Sequence, residues 1–174
     1  MQKIPSCALP LLFACANAYA LDGFEKVVCG SDIPKALIGQ RTSNEAVGGI
    51  ESRHAALGLK DLGGTEVSDH LFSGSWRICG DEFVLLVDDH SVIRDVLQFP
   101  PHSKAAPGFS GSCEAKGKAV EGTVIAVLNS ETGAPTLAAQ AAWKIDEKNA
   151  KFEKLPTEGL RCSRDGIFTV DGGR

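Results

Sequence analysis

The first twenty residues of this chain have the layout of a secretory signal peptide. A short basic opening, Met1-Gln2-Lys3, leads into an apolar run, and the small residues Ala18-Tyr19-Ala20 end the segment. The apolar run is too short to cross a bilayer, which needs about 20 residues. This layout predicts that residues 1–20 are removed and that the remainder is exported to an oxidising compartment, the periplasm or the cell exterior.

Export constrains the fold because it allows disulfides to form. The processed chain keeps four cysteines: Cys29, Cys79, Cys113 and Cys162. An even number in an exported chain predicts two disulfides, and three pairings are possible. Pairing of neighbours along the chain would close two loops of about 50 residues each, a size that stabilises a fold by roughly 3–4 kcal/mol. No two cysteines or histidines have the close spacing of a zinc site.

A further cysteine gives an alternative destination. Leu12-Phe13-Ala14-Cys15 approaches the pattern of a bacterial lipoprotein signal, in which a cysteine after a small residue is acylated. Phe13 departs from that pattern, and the Ala18-Tyr19-Ala20 site competes just downstream. A lipid on Cys15 would anchor the protein to the envelope without changing its fold.

Residues 21–174 have the length of one globular domain, with a frayed tail at 171–174. A continuous apolar run, Phe83–Val87, predicts a strand that is covered on both faces. A turn at Asp88–Ser91 and a strand ending before Pro100-Pro101 would complete a hairpin. Further short strands are predicted at 24–28, 76–79, 123–128, 137–145, 160–162 and 167–170.

Helical signals are confined to the first third of the chain. Ser31 or Asp32 can cap a short turn that begins at Pro34. Thr42 and Glu45 have the spacing of a capping box, which predicts a helix over residues 42–57 closed by a glycine. Two adjacent glycines at 48–49 weaken that helix. Residues 57–64 are expected to run into a polar loop, and a β pattern begins at Trp76.

The sum is an α+β domain with a mainly antiparallel β-sheet, one or two short N-terminal helices and two disulfides. A mostly β barrel or sandwich is the alternative. The tetrapeptide Phe72–Ser75 recurs as Phe109–Ser112, either by chance or as the trace of a duplicated unit. Trp76 and Trp143 lie in strand-like segments, which favours positions in the core.

Charge and glycine patterns exclude several kinds of partner. The net charge is −4 and the basic residues are scattered, so no basic face for nucleic acid or an anionic membrane is expected. The processed chain has no apolar segment long enough to be a transmembrane helix. No glycine-rich phosphate loop is present, and no cofactor is predicted.

Metal binding is not predicted either. The four histidines, His54, His70, His90 and His102, are too far apart in sequence to pair on one helix face. Asp88-Asp89-His90 has ligand atoms, but adjacent acids at a hairpin tip are typical of a solvated turn. His54 falls on the apolar side of the predicted helix, which favours a structural role.

The segment 100–112 is the longest irregular stretch, and long loops in compact domains are often functional. Gly108–Ser112 superficially resembles the turn around a hydrolase nucleophile, and His102 and Asp95 would complete a Ser–His–Asp set with Ser110. The second glycine stands one position early, and a β pattern follows instead of a helix. Because His102 and Ser110 share this segment, a small extracytoplasmic hydrolase that uses them is kept as the alternative function.

Recognition of a partner is the favoured function. A disulfide-stabilised domain can present a rigid loop with little loss of ordering entropy on binding, as inhibitor-like or envelope-associated proteins do. The binding residues expected in this loop are His102, Lys104, Phe109 and Ser110. The sequence thus predicts an exported, non-enzymatic binding protein for a protein or small molecule, of unspecified oligomeric state.

Overall fold

The computed structural model describes residues 23–43, 45–131 and 133–168. The predicted signal peptide, the alternative lipidation site at Cys15 and the expected frayed tail lie outside the described residues. Nothing in the structure bears on them.

Short helices precede the strands. A 3₁₀ turn covers Gly23–Lys26, helix α1 covers Ile33–Leu37, helix α2 covers Val47–Arg53, and a second 3₁₀ turn covers Ala55–Leu57. The strand predicted at 24–28 is therefore wrong. Phe24 and Val27 are both buried at a spacing of three, which suits a helical turn packed on the core better than an extended strand.

The two helix starts differ in how well they follow their sequence signals. Asp32 caps α1 as predicted, since its side chain accepts a hydrogen bond from Lys35 N at 3.1 Å. The predicted capping box of α2 is wrong: the helix begins after Ala46 with no side-chain cap. Glu45 instead pairs with Arg53, and its carboxyl group lies over Gly49, where a Cβ would collide with it.

The first sheet is an antiparallel meander of four strands in the order β1-β2-β3-β4. Its members are β1 Lys60–Ser68, β2 Leu71–Ile78, β3 Asp81–Asp88 and β4 Ile93–Phe99. The predicted hairpin of β3 and β4 is confirmed, and β4 ends at the proline pair as expected. The polar loop predicted between residue 64 and Trp76 is wrong, because the end of β1 and most of β2 lie there. Glycines 63 and 64, which precede it, lie within a bulged edge strand.

The second sheet contains the remaining strands and follows the first in the chain. Its order is β12-β5-β8-β9-β11-β6-β7, with β10 also paired to β9. The members are β5 Gly108–Gly111, β6 Cys113–Ala115, β7 Lys118–Ala119, β8 Val124–Leu128, β9 Thr136–Asp146, β10 Lys151–Lys154, β11 Leu160–Ser163 and β12 Ile167–Phe168. All the pairings are antiparallel, so the predicted α+β class is confirmed.

The two sheets pack face to face. Alternate residues of β3 divide between two cores: Phe83 and Leu85 pack under the helices, whereas Val84 and Leu86 pack against the second sheet. This explains the continuous apolar run, because both faces of β3 are covered. The intersheet core consists of Leu71, Val84, Leu86, Phe99, Ile125, Val127 and Ile145.

Two disulfides are present, and each joins two cysteines that are consecutive among the four in the sequence. Cys29 bonds to Cys79, in the tight turn between β2 and β3, and Cys113 bonds to Cys162 across β6 and β11. The bonds span 50 and 49 residues. Each bond joins residues within the part of the chain that builds one sheet. Within the described residues, no helix has the length and apolar character needed to cross a membrane.

Candidate ligand-binding cleft

A cavity of about 370 Å³ opens between the two sheets beside the intersheet core. The first sheet supplies one wall from β1, β2 and β3, the second sheet supplies the opposite wall, and the segment that connects the sheets supplies His102. We call this cavity the cleft. It is lined by Lys60, Asp61, Leu62, Gly63, Gly64, Thr65, Ser73, Ser75, Arg77, Glu82, Val84, His102, Ser110, Ile125 and Phe168.

Strand register places a ladder of polar residues on the first wall. Ser73, Ser75 and Arg77 alternate along β2 and therefore point to the same face. Arg77 stands opposite Lys60 on β1 and opposite Glu82 on β3, so three charged residues form one row across the sheet. The row ends at Phe99, which belongs to the intersheet core.

A buried His–Glu pair forms the deepest polar contact of the cleft. His102 Nε2 lies 2.9 Å from Glu82 Oε2, and the two side chains are only 2% and 9% exposed. The rings of Phe99 and Phe168 both meet the imidazole edge to face, with centroids 5.3 Å away. These contacts fix His102 although it lies in an irregular segment.

The second ring nitrogen of His102 is unusual. Nδ1 is buried and has no hydrogen-bond partner among the described residues. Glu82 engages Nε2, so Nδ1 is the ring nitrogen whose hydrogen-bonding capacity remains unfilled. A buried polar atom without a partner costs about 1–3 kcal/mol and is common where function requires it.

The cationic residues of the cleft have no acid partner. Neither Arg77 nor Lys60 forms an ion pair with any other part of the chain that the structure describes. Arg77 is half-buried, whereas Lys60 is exposed. The cleft therefore presents guanidinium and ammonium donors whose bonding capacity is unused.

The opposite wall is mostly apolar. Ile125 faces the first sheet, and its neighbour in register, Ser110, shares that face. Phe168 lies flat on Gly108, where an added Cβ would come within 2.5 Å of its ring. Glycine at 108 therefore allows the ring to reach both His102 and the cleft.

The structure separates the residues expected to bind a partner. His102 and Ser110 meet at the cleft, but Lys104 is exposed and is not among the lining residues. Phe109 is 0% exposed and packs in the core of the second sheet, so it does not present itself on a loop surface as expected. The reason is that β5 begins at Gly108 and alternation turns Phe109 inward.

The predicted Ser–His–Asp set is also corrected. Asp95 is not in the cleft; its carboxylate accepts hydrogen bonds from Val96 N and from Phe152 N, the latter at 2.8 Å. The acid beside His102 is Glu82, which stands 20 residues earlier in the sequence.

The sequence analysis did not identify most of the residues that the first sheet contributes to the cleft. Arg77, Glu82 and the β2 serines were not candidates, although polar alternation over Ser73, Ser75 and Arg77 was visible. The repeated tetrapeptide offered a further signal. Its two copies lie on β2 and β5, and each places a serine, Ser73 or Ser110, on the cleft.

A second cavity, of about 390 Å³, lies at the hairpin tips of the first sheet. The predicted turn at Asp88–Ser91 is present there, and Asp89 contacts two imidazoles, at 2.8 Å for His90 and 3.5 Å for His70. Arg94 pairs with Asp88 on the same cavity. Within the described ranges, no three histidine, cysteine or acidic side chains form a metal-binding group.

Comparisons with known proteins do not identify a function, so the function is inferred from the geometry of the cleft. No protein-family model, no curated protein and no solved structure matches the chain.

Proposed function

We propose that this protein is an exported small-molecule-binding protein whose ligand occupies the cleft. The observation that supports this most directly is the cavity between the sheets, where polar side chains that have no partner among the described residues lie near the buried His102–Glu82 pair. Its volume of about 370 Å³ falls within the range of ligand sites, and such sites combine apolar walls with a few placed polar groups.

A small molecule suits the structure better than a protein partner docked on the connecting loop. Phe109 was the apolar residue expected to anchor such a partner, and it is buried in the core. Of the expected loop residues, only Lys104 remains on the exposed surface, and a single lysine is a weak anchor for a protein interface.

Export is supported by the two disulfides, which persist in oxidising compartments. We expect protein exported from a bacterial host to begin at Leu21 and to resist alkylation until it is reduced. Intact mass measured before and after reduction tests both points. A mass increase of the size of a lipid on Cys15 would show that the exported protein is anchored to the envelope. Thiols that react before reduction would contradict export.

Ligand binding can be tested with N-phenyl-1-naphthylamine, a neutral aromatic dye that fluoresces in apolar sites. We expect one saturable site per chain. Ser75→Phe, which fills the cleft from β2, should weaken dye binding by about tenfold or more, a loss of at least ~1.4 kcal/mol. Ser52→Phe makes the same change on the exposed face of α2 and should leave binding unchanged.

The result that would count against the proposal is equal dye binding by both variants, since the dye would then sit elsewhere. Absence of saturable binding by the wild-type protein would also overturn it. Circular dichroism of each variant shows that a loss of binding is not a loss of fold.

A hydrolase is the second candidate, because Ser110, His102 and Glu82 line the same cleft. Glu82 occupies Nε2, so only Nδ1 remains to take the Ser110 proton. Ser110 Oγ would add to an ester carbonyl, and the transferred proton would leave with the alcohol before water releases the acid. Nδ1 is buried, and no hydrogen bond joins it to Ser110 in the described structure, so binding takes first place.

Hydrolysis of p-nitrophenyl acetate separates the two candidates. A hydrolase requires wild-type turnover above the buffer rate and a loss of about 100-fold or more in Ser110→Ala. Turnover that is absent in the wild-type protein, or unchanged in Ser110→Ala, would remove this candidate.

A further inference from the structure

We infer that the ligand of the cleft is a small amphipathic anion: its anionic group binds Arg77 and Lys60, and its apolar body lies against Val84, Ile125 and Phe168. This inference rests on the proposed function, because it specifies the chemistry of a ligand in the same cleft. It is supported by charge, by strand register and by the unused hydrogen-bonding groups of β2.

Two cationic side chains lie at one end of the cleft. Arg77 and Lys60 stand directly opposite each other on β2 and β1. On the other side of Arg77, the Glu82 carboxyl group is engaged by His102 at 2.9 Å. Arg77 and Lys60 therefore form no ion pair with Glu82 in the described structure.

Asp61 also lines the cleft, but it forms no ion pair with Arg77 or Lys60 in the described structure. It stands opposite Trp76, whose ring packs on Phe24 beneath the helices. Its carboxylate accepts a hydrogen bond from Gly63 N within the bulge of β1.

The arginine is suited to an anionic group of a small molecule. A guanidinium has five N–H donors in a planar fork that matches the paired oxygens of a carboxylate, sulfonate or phosphate. Arg77 is half-buried and has no acid partner among the described residues. A partly desolvated cation of this kind gains more from an anion than an exposed one does.

A second observation on β2 supports a polar ligand. Ser73 is a buried polar residue with a relative exposure of 6%. Its hydroxyl has no hydrogen-bond partner in the described residues, and register directs it into the cleft together with Ser75. The hydroxyl groups of Ser73 and Ser75 therefore lie on the same face of β2 as Arg77, at every second residue of the strand.

The opposite wall determines the rest of the ligand. Ile125 and Phe168 are apolar and face the β2 ladder across the cleft, and Val84 extends the apolar surface beside Ser75 on the first wall. A ligand that satisfies both walls has its charge at the Arg77 end and an apolar body extending between the sheets. A fully polar anion would leave that apolar wall uncovered.

Two dyes that differ only by an anionic group test this inference. 8-Anilino-1-naphthalenesulfonate carries a sulfonate that N-phenyl-1-naphthylamine lacks. We expect the wild-type protein to bind the sulfonate dye about tenfold more tightly. Arg77→Gln should remove this preference, whereas Arg77→Lys should keep part of it. Arg94→Gln, the same charge change at the second cavity, should alter neither affinity.

The outcomes distinguish this inference from the proposed function. If both dyes bind in the cleft but Arg77→Gln leaves their affinity ratio unchanged, the anionic ligand is wrong and the binding cleft stands. If neither dye binds, or Ser75→Phe has no effect on either, the binding function itself fails. Circular dichroism of Arg77→Gln shows that a lost preference is not a loss of fold.

Discussion

At the scale of single residues, the His102–Glu82 pair has the largest energetic consequence. Two ionisable side chains are held between the sheets, where each depends on the other for its hydrogen bond. Removing one partner of a buried pair costs more than the pair contributes, because the remaining group is left unsatisfied.

We therefore expect Glu82→Leu to lower the free energy of unfolding by about 1–3 kcal/mol. Adding His102→Phe should recover part of that loss, because the second change removes the unsatisfied imidazole. Urea unfolding of the single and double variants measures both effects, with Glu66→Leu on exposed β1 as the control. A double variant less stable than Glu82→Leu would contradict this account.

At the scale of elements, the hairpin of β9 and β10 depends on one carboxylate. Asp146 ends β9, and its two oxygens accept hydrogen bonds from the side chain of Asn149, at 2.6 Å, and from the Lys148 and Asn149 backbone. The Asn149 side chain is the main reason why the pKa of Asp146 lies below its ordinary value of 3.8. A lowered acid pKa stabilises the fold above the ordinary value, and this contribution disappears as the pH falls through the lowered one.

Asn149→Ala should raise the pKa of Asp146 toward its ordinary value, because the carboxylate loses its strongest donor. The two backbone donors and nearby Lys144 remain and keep the pKa below 3.8. Carboxyl chemical shifts followed against pH by NMR give the value directly. Lys148→Ala is the matched control, since it leaves the backbone N–H in place; an unchanged pKa in Asn149→Ala would show that another donor dominates.

The elements also show what the sequence could predict. Phe83–Val87 revealed a strand buried on both faces, and the acids after it revealed the turn, because burial and turn chemistry are local signals. β1 was missed because glycines 63 and 64 are typical of loops, yet here they pair with β2 directly after a bulge at Leu62. The predicted capping box does not form, because the Glu45 side chain pairs with Arg53 instead of capping the helix backbone.

At the scale of the whole molecule, the cleft could not be predicted from the sequence alone. His102 and Ser110 were singled out because both lie in one loop segment, but Glu82 and Arg77 join them only through strand pairing and sheet packing. Such contacts depend on register, which a single sequence specifies weakly. The disulfides were predictable in number, and the structure resolves their pairing.

Both disulfides close loops of nearly equal length, so their effects on the unfolded chain should match at about 4 kcal/mol. Their native surroundings differ: Cys113 and Cys162 are buried, whereas Cys29 is exposed. We expect the double alanine variant at 113 and 162 to lose more stability than the one at 29 and 79, because it also loses core packing. Urea unfolding of the two variants under identical conditions makes the comparison, and the reverse order would contradict it.

The division of the chain into two consecutive sheets affects how the thiols find their partners. Under the export that we propose, a chain threaded through a membrane with its N-terminus leading would deliver Cys29 and Cys79 before Cys113. The strands β1 to β4 would then already have emerged, and the leading part of a chain generally folds first. The first bond could form while the other two thiols are still being delivered, which would leave them only each other. The order of emergence would thus favour the observed pairing among the three possible ones.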